Sequence, residues 1–178
     1  MDLHAENWPL TPILTTPRFT LRPYAPSDRD AAVRVLNDYD VTRWLTMVPW
    51  PYQPRDFDWF LNSFIPDTQH VVWVIDGGNG LLGAISVVSE LGYWLDSAHH
   101  GQGIMTEVAT AAIDWYFTQE HDELTSGYIL GNRPSAAVLR KLGFQDTHIN
   151  RDVTTARGET VDIQRVALTR ADWQARNV

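Results

Sequence analysis

The stretch that decides the fold is "YWLDSAHHGQGIMTEVATAAIDWYF", which runs from Tyr93 to Phe117. It begins as an apolar run typical of a buried strand, and from about Ile104 its apolar residues follow helical spacing. Gly101 and Gly103 lie between the two patterns. Glycine has no Cβ and accepts positive φ, so successive N–H groups can converge on one point. The pattern therefore predicts either a plain turn or an anion site at a helix N-terminus.

Two common phosphate-binding motifs do not fit this turn. No lysine follows the glycines, which excludes a Walker loop, and Thr106 stands where a dinucleotide fingerprint has its third glycine. The turn by itself leaves both interpretations open.

Strands and helices alternate on both sides of the turn. The predicted strands cover residues 18–24, 70–76, 81–88, 89–96, 124–130, 143–149 and 161–168. The predicted helices begin near 28, run from about 56 to 64 and end before Pro66, begin near 104, and cover 133–142. Because a helix joins strand 89–96 to strand 124–130, we expect these two strands to be parallel within a mixed sheet.

Length, composition and charge limit the class of protein. The chain has 178 residues, 44% of them hydrophobic, which predicts one domain over residues 1–178 with a full core. No run of 18 apolar residues predicts a membrane span, and the N-terminus lacks a signal pattern, so a cytoplasmic location is expected. The net charge of −8 disfavours nucleic acid as a partner. It favours a cationic partner, or it serves solubility alone.

The residue types that are scarce exclude several chemistries. The chain has no cysteine, which excludes disulfides, thiolate metal sites and a cysteine-linked acyl intermediate. Lys141 is the only lysine, and its surroundings fit neither a Schiff base nor a phosphate loop. His99 and His100 are adjacent and cannot face one ion from a regular element, so no metal site is predicted.

Three segments in order carry a resemblance to a known family. ELGYWLD (90–96), HHGQGIMTE (99–107) and GNRPSAAVLRKLGF (131–144) resemble motifs of the GNAT superfamily of acetyl-CoA-dependent N-acetyltransferases. With the LRPY start, the resemblance extends from Arg18 to Leu168 and is closest to the RimJ/RimL-like group, which acetylates ribosomal-protein N-termini. Two positions depart from the superfamily pattern: His100 replaces the usual Gln or Arg, and Met105 the usual Gly or Ala.

The resemblance implies an α+β fold and a coenzyme site. The expected fold is a single GNAT-like domain with a mixed central sheet of about six to seven strands, about four helices, and two adjacent parallel strands that splay apart. Acetyl-CoA is expected in the gap, with its pantetheine bonded to the backbone near Trp94 and Leu95 and its pyrophosphate on the amides of the turn. Asn132 also suits a helix N-cap, and Arg140 also suits a solvated helix position. The residues that the resemblance assigns to acetyl-CoA are Trp94, Leu95, His100, Gly101, Gln102, Gly103, Ile104, Met105, Thr106, Asn132 and Arg140.

The resemblance also assigns two catalytic roles. Glu90 is expected to be the general base, directly or through water, although a solvated carboxylate at a strand end explains it equally. Ser135 is expected near the sulfur as proton donor or hydrogen-bond donor to the departing thiolate. Without an activated cysteine, direct attack of the amine on the thioester is favoured. No metal is implied.

The acceptor is harder to predict. The expected groove is lined by residues 27–65 and 149–161, where Trp44, Met47, Trp50 and Trp59 either form walls or pack. An α-amine has a pKa of about 7.7–8.0 against about 10.4 for lysine, which favours a protein or peptide N-terminus as acceptor. The alternatives are a small-molecule amine, such as an amino acid, polyamine or aminoglycoside, and a non-catalytic sensor that binds acyl-CoA. No nucleic acid or membrane is an expected partner, and the oligomeric state is left open, a homodimer included.

Overall fold

The fold is built on one mixed sheet, described by a computed structural model that covers residues 11–68, 70–87 and 90–176. Its spatial order is β1-β2-β3-β4-β5-β6-β8-β7. The strands are β1 (Leu14–Thr15), β2 (Thr20–Arg22), β3 (Val71–Asp76), β4 (Leu81–Val87), β5 (Glu90–Leu95), β6 (Glu123–Ile129), β7 (Gln145–Thr154) and β8 (Glu159–Thr169). The sheet has eight strands, more than the predicted six to seven, because β1 is too short to show a period of two.

In the described residues, three short helices accompany the four that were predicted. They are α1 (Arg29–Leu36), α2 (Tyr39–Thr42), α3 (Pro54–Trp59), α4 (Ile65–Thr68), α5 (Ile104–Thr118), α6 (Arg133–Leu142) and α7 (Arg170–Arg176). Within the described ranges, none of them has the length and apolarity needed to cross a bilayer.

One predicted helix end is wrong. The helix expected to stop before Pro66 continues through it, because α3 passes into a π-helical turn (Phe60–Phe64) and then into α4. The Ile65 N–H bonds to the Phe60 carbonyl, five residues earlier. A π-turn holds one extra residue and widens the helix, which relieves the clash between a proline ring and the carbonyl four residues earlier.

Helices cover both faces of the sheet. The core on one face joins α5 and α6 to the sheet, and α1 and α3 pack on the other face. Side chains alternate along β5, so that Leu91, Tyr93 and Leu95 face the α5 layer and Trp94 faces the α1 layer.

The parallel pair β5 and β6 separates soon after it forms. The two strands pair at Glu90 with Thr125 and at Leu91 with Ser126. The Ser126 hydroxyl also donates to the Leu91 carbonyl at 2.8 Å. Beyond these residues the described parts of β5 and β6 pair no further, although both strands continue. The prediction of parallel strands that splay apart is therefore confirmed.

Candidate active site

A cavity of about 650 Å³ opens where β5 and β6 separate. This volume is typical of a small-molecule site. One side, here called the turn side, is formed by residues 99–101 and 103–106 and by one face of α6 with its N-cap, Asn132. The other, the loop side, is formed by residues 40–41 and 44–47 together with Glu90, Asp152, Ile163 and Arg165. The cavity thus passes through the sheet from one helical layer to the other.

The glycine turn exposes a row of main-chain N–H groups. Gly101 has φ of 73° and Gly103 has φ of 72°, in the left-handed region that favours glycine. A Cβ added at Gly101 would meet no atom within 4 Å, so the space beside it is open. The first helical bond of α5 runs from the Glu107 N–H to the Gly103 carbonyl at 3.1 Å. The amides of Gly103 to Thr106 precede it and lack a helical acceptor, which makes this an amide cradle suited to an anion.

Arg18 holds the turn from outside. Its Nε lies 2.6 Å from Glu107 Oε2, and its Nη2 donates to the Gln102 carbonyl at 3.1 Å. Burial alone would raise the pKa of Glu107, but hydrogen bonds from Thr16 and Arg18 outweigh it and lower the pKa. Gln102 turns its carbonyl to Arg18 and its side-chain amide to the Ala98 carbonyl, and it does not line the cavity. The side chain of Gln102 is thus not brought into the predicted coenzyme site.

His100 fastens the turn to the end of β5. Its Nε2 lies 2.9 Å from the Leu95 carbonyl, and both residues line the cavity. The neighbouring His99 also lines the cavity, and its buried Nδ1 has no hydrogen-bond partner in the described part of the chain. Among the residues described, no cluster of His, Cys, Asp or Glu could hold a metal ion.

The free edge of β5 presents main-chain groups to the gap. The Asp96 N–H bonds to the Leu82 carbonyl at 2.8 Å, toward β4. Because backbone groups alternate along a strand, those of Trp94 also face β4, whereas those of Tyr93 and Leu95 face the gap. The predicted backbone contact near Trp94 and Leu95 therefore needs a correction: Tyr93, not Trp94, offers main-chain groups there.

Ser135 lies beside the gap, held by two neighbours. Its N–H donates to Asn132 Oδ1 at 3.2 Å, so Asn132 is the N-cap of α6 as well as a cavity-lining residue. Its Oγ lies 2.8 Å from Tyr93 Oη. Burial raises the pKa of Tyr93 to about 12 although the bond to Ser135 lowers it, so the phenol stays protonated at neutral pH. Sequence reasoning missed this pair and treated Tyr93 as a strand residue; the alternation with Leu91 and Leu95 was the available signal.

Glu90 is paired with a residue that the sequence did not single out. Arg165 Nη2, from β8, lies 2.8 Å from Glu90 Oε2 at the loop side of the cavity. The Glu90 side chain is 47% exposed, and Oε1 makes no hydrogen bond to any described residue. One carboxylate oxygen is thus anchored and the other is free for a ligand.

Helix α6 brings Lys141 to the cavity instead of Arg140. Pro134, Val138 and Lys141 line the cavity at positions i, i+4 and i+7, which share one helix face. Arg140 is exposed outside that face. Arg140 therefore does not line the cavity, and its predicted contact with the coenzyme has no support there. Trp94, Leu95, Ile104, Met105 and Thr106 do line it, and their contact with the coenzyme stays a prediction.

Trp44 forms the apolar wall of the loop side. It packs against Ile129, Val161 and Ile163. The guanidinium groups of Arg43 and Arg157 lie 4.6 and 4.9 Å from its ring centroid. Such cation–π contacts stabilise the ring in one orientation.

Two of the four predicted groove residues lie elsewhere. Trp44 and Met47 line the cavity, and Met47 is 72% exposed at its mouth. Trp50 instead packs on Tyr39, and Trp59 packs on Phe64.

The loop side carries an excess of negative charge. Its charged lining residues, within the described chain, are the carboxylates Asp40, Glu90 and Asp152 and the guanidinium of Arg165. Since low-dielectric walls focus such a field, this side attracts cations.

Comparison with known proteins gives consistent matches. The family model "Acetyltransferase (GNAT) domain" matches residues 18–145. The chain is 26% identical over 180 residues to the uncharacterized N-acetyltransferase p20 of Bacillus licheniformis, covering 90% of this chain and 97% of that one. It is 29% identical over 115 residues to the [ribosomal protein uS5]-alanine N-acetyltransferase of Escherichia coli, covering 64% of this chain and 59% of that one. The structure of Mycobacterium smegmatis RimJ in complex with CoA-disulfide is similar with a TM-score of 0.75 and 21% identity, covering 90% of this chain and 87% of that one.

Proposed function

Because the chain belongs to the GNAT acetyltransferase family and is an N-acetyltransferase of the RimJ/RimL-like kind, we propose that it transfers acetyl from acetyl-CoA to the α-amine of a protein or peptide N-terminus. The observation that carries the proposal is the gap between β5 and β6, which opens directly onto the amide cradle at Gly101 and Gly103.

The turn side fits the parts of acetyl-CoA in order. The pyrophosphate is an anion, and the open space beside Gly101 lets it approach the amides of the cradle closely. The pantetheine arm carries amide groups, which can bond to the main-chain groups of Tyr93 and to the Leu95 N–H as a neighbouring strand would; the Leu95 carbonyl already accepts from His100. The thioester then lies near Ser135, beside Tyr93 of β5.

The chemistry is a direct transfer. The acceptor amine attacks the thioester carbonyl, a C–N bond forms and the C–S bond breaks. Glu90 Oε1 accepts the amine proton, directly or through water, while Arg165 anchors the other oxygen. A main-chain N–H at the β5 edge stabilises the negative oxygen of the intermediate. The Ser135 hydroxyl donates a hydrogen bond to the departing thiolate.

Three features support an N-terminal α-amine as acceptor. The α-amine has a pKa of about 7.7–8.0, so at neutral pH a larger fraction of it than of a lysine amine is already deprotonated and nucleophilic. The Escherichia coli relative acts on an alanine of ribosomal protein uS5. The exposed Met47 leaves the mouth of the loop side accessible to a peptide.

The negative loop side also favours a second candidate, a small cationic amine such as a polyamine. Asp40, Glu90 and Asp152 would attract it as they would attract a basic peptide. A non-catalytic sensor is not favoured, because the family and the relatives are N-acetyltransferases.

The test is the release of CoA thiol from acetyl-CoA with a panel of acceptors. We expect turnover with basic peptides that begin with a free alanine, and none with the same peptides blocked at the N-terminus but carrying an internal lysine. Mass spectrometry then locates the acetyl group. Turnover with polyamines alone would replace the proposal by the second candidate, and no thiol release with any amine would overturn it.

A further inference from the structure

The hydroxyl of Ser135 needs a neighbour to set its direction. A serine hydroxyl rotates freely unless a partner fixes it, and only one direction points its hydrogen at a departing sulfur. Asn132 binds the Ser135 N–H and leaves the hydroxyl untouched. Tyr93 Oη, at 2.8 Å, is the hydroxyl's partner among the described residues.

We infer that Tyr93 is a positioning residue for acetyl transfer: its phenol donates to Ser135 Oγ and so turns the Ser135 hydrogen toward the leaving thiolate. The inference rests on the proposed function, since it assumes that the coenzyme sulfur lies beside Ser135.

The direction of the hydrogen bond follows from acidity. A phenol, with a pKa of about 10, is more acidic than an aliphatic hydroxyl, so Tyr93 donates and Ser135 accepts. Burial keeps the phenol protonated, because it raises the pKa of Tyr93 to about 12. Ser135 Oγ then has its own hydrogen left, and a donor bonded to it strengthens that hydrogen bond. No proton leaves Tyr93; the thiolate is stabilised by hydrogen bonding until CoA departs.

Among the described residues, the Tyr93 hydroxyl has no other hydrogen-bond partner at short distance. In the described part of the chain, its remaining polar contact is the Ser135 carbonyl at a long 3.4 Å. Its ring packs against the core on the α5 side, which fixes the phenol relative to the gap. Tyr93 therefore connects the rigid sheet to the hydroxyl of Ser135.

The test compares Tyr93→Phe with a matched phenol. Tyr116 is buried in the same core, and its hydroxyl donates to the Glu123 carbonyl at 3.0 Å, but it does not line the cavity. We expect Tyr93→Phe to lower kcat roughly 3- to 10-fold, the effect of one neutral hydrogen bond, with little change in the KM for acetyl-CoA. Tyr116→Phe should leave kcat unchanged.

Two further readouts separate positioning from simple packing. In a Ser135→Ala background, Tyr93→Phe should have no further effect, because the hydroxyl that it orients is gone. The thiol of bound CoA, titrated by thiolate absorbance, should have a higher pKa in Tyr93→Phe than in the unaltered protein. Equal losses in both backgrounds, or an unchanged thiol pKa, would overturn the inference.

The titration keeps this inference distinct from the proposed function. If no amine supports turnover, the proposed function fails, yet bound CoA still reports whether Tyr93 acts on the thiol through Ser135. A chain that binds no CoA would overturn both.

Discussion

The turn side and the loop side of the cavity present different kinds of atoms. The turn side offers main-chain amides, and these require glycine at Gly101 and Gly103 because both have positive φ. The loop side offers side chains from separate segments, including Asp40, Glu90 and Arg165. A site made of backbone groups can be recognised in the sequence from a few contiguous residues. A site made of side chains from distant segments can be recognised only in the folded structure.

The largest expected effect is on the turn side. Gly101→Val forces a branched side chain into positive φ and places it in the open space of the cradle. We expect CoA affinity, measured by calorimetry, to fall by about 10- to 100-fold. The control is Gly78→Val, which has φ of 95° and open space around it but does not line the cavity. Unchanged affinity in Gly101→Val would remove the cradle from coenzyme binding.

A second effect concerns the contacts between the segment that precedes the glycine turn and helices α1 and α2. Asp96 is 6% exposed; its carboxylate accepts from the Ala98 N–H, just before the glycine turn, and from Arg34 of α1. Next to it, the Ser97 hydroxyl donates to Asp38, the N-cap of α2, at 2.6 Å. Burial alone would raise the pKa of Asp96, but hydrogen bonds from Ala98 and Arg34 outweigh it and lower the pKa below 3.8.

The stabilisation from Asp96 therefore depends on pH. It is fully present above pH 3.8, the ordinary pKa, and is lost as the pH falls through the lower pKa of the folded state. Asp96→Asn should lower the free energy of unfolding by about 1–2 kcal/mol at pH 7, with the difference narrowing below about pH 4. Urea unfolding at several pH values measures this difference in free energy, and the variant Asp146→Asn, at an exposed aspartate, is the control. A difference that is constant with pH would contradict the assignment.

The smallest effect is expected on the loop side. Asp40→Asn and Asp152→Asn each remove one charge from the wall, and each should raise the KM for a cationic acceptor by about 2- to 5-fold at low salt. CoA affinity should not change, because neither residue is on the turn side. Asp146→Asn removes the same charge away from the cavity and should leave KM unaltered. A loss of CoA affinity instead would mean that the two sides do not bind separate substrates.

The sequence predicted the parts of the fold that local patterns encode. Helix α6 was predicted with its bounds, Arg133–Leu142, because a proline opens it and Gly143, at φ of 93°, follows its end. The parallel pairing of β5 and β6 followed from the helix between them, and their splaying from the family resemblance. Strand β1 and helix α7 were missed because they are short. The continuation of the helix through Pro66 was missed because no residue type or spacing in the sequence predicts a π-turn.

The sequence predicted less of the site, because tertiary contacts decide which side chains meet there. The pairing of Glu90 with Arg165 depends on the order of β5, β6 and β8 in the sheet, which no local pattern gives. The choice of Lys141 over Arg140 depends on which face of α6 the cavity meets. The contact of Tyr93 with Ser135 likewise needs the packing of α6 on β5.

The early separation of β5 and β6 has a consequence for the whole molecule. In the described chain the facing edges of β5 and β6 do not pair with each other beyond Leu91 and Ser126, so the coenzyme of the proposed function would lie between them as an added strand does. Ligand that binds only the folded state adds about 2.7 kcal/mol to its stability at a hundredfold excess over Kd. With acetyl-CoA in that place, the heat tolerance of this protein would rise and fall with the metabolic supply of its own substrate.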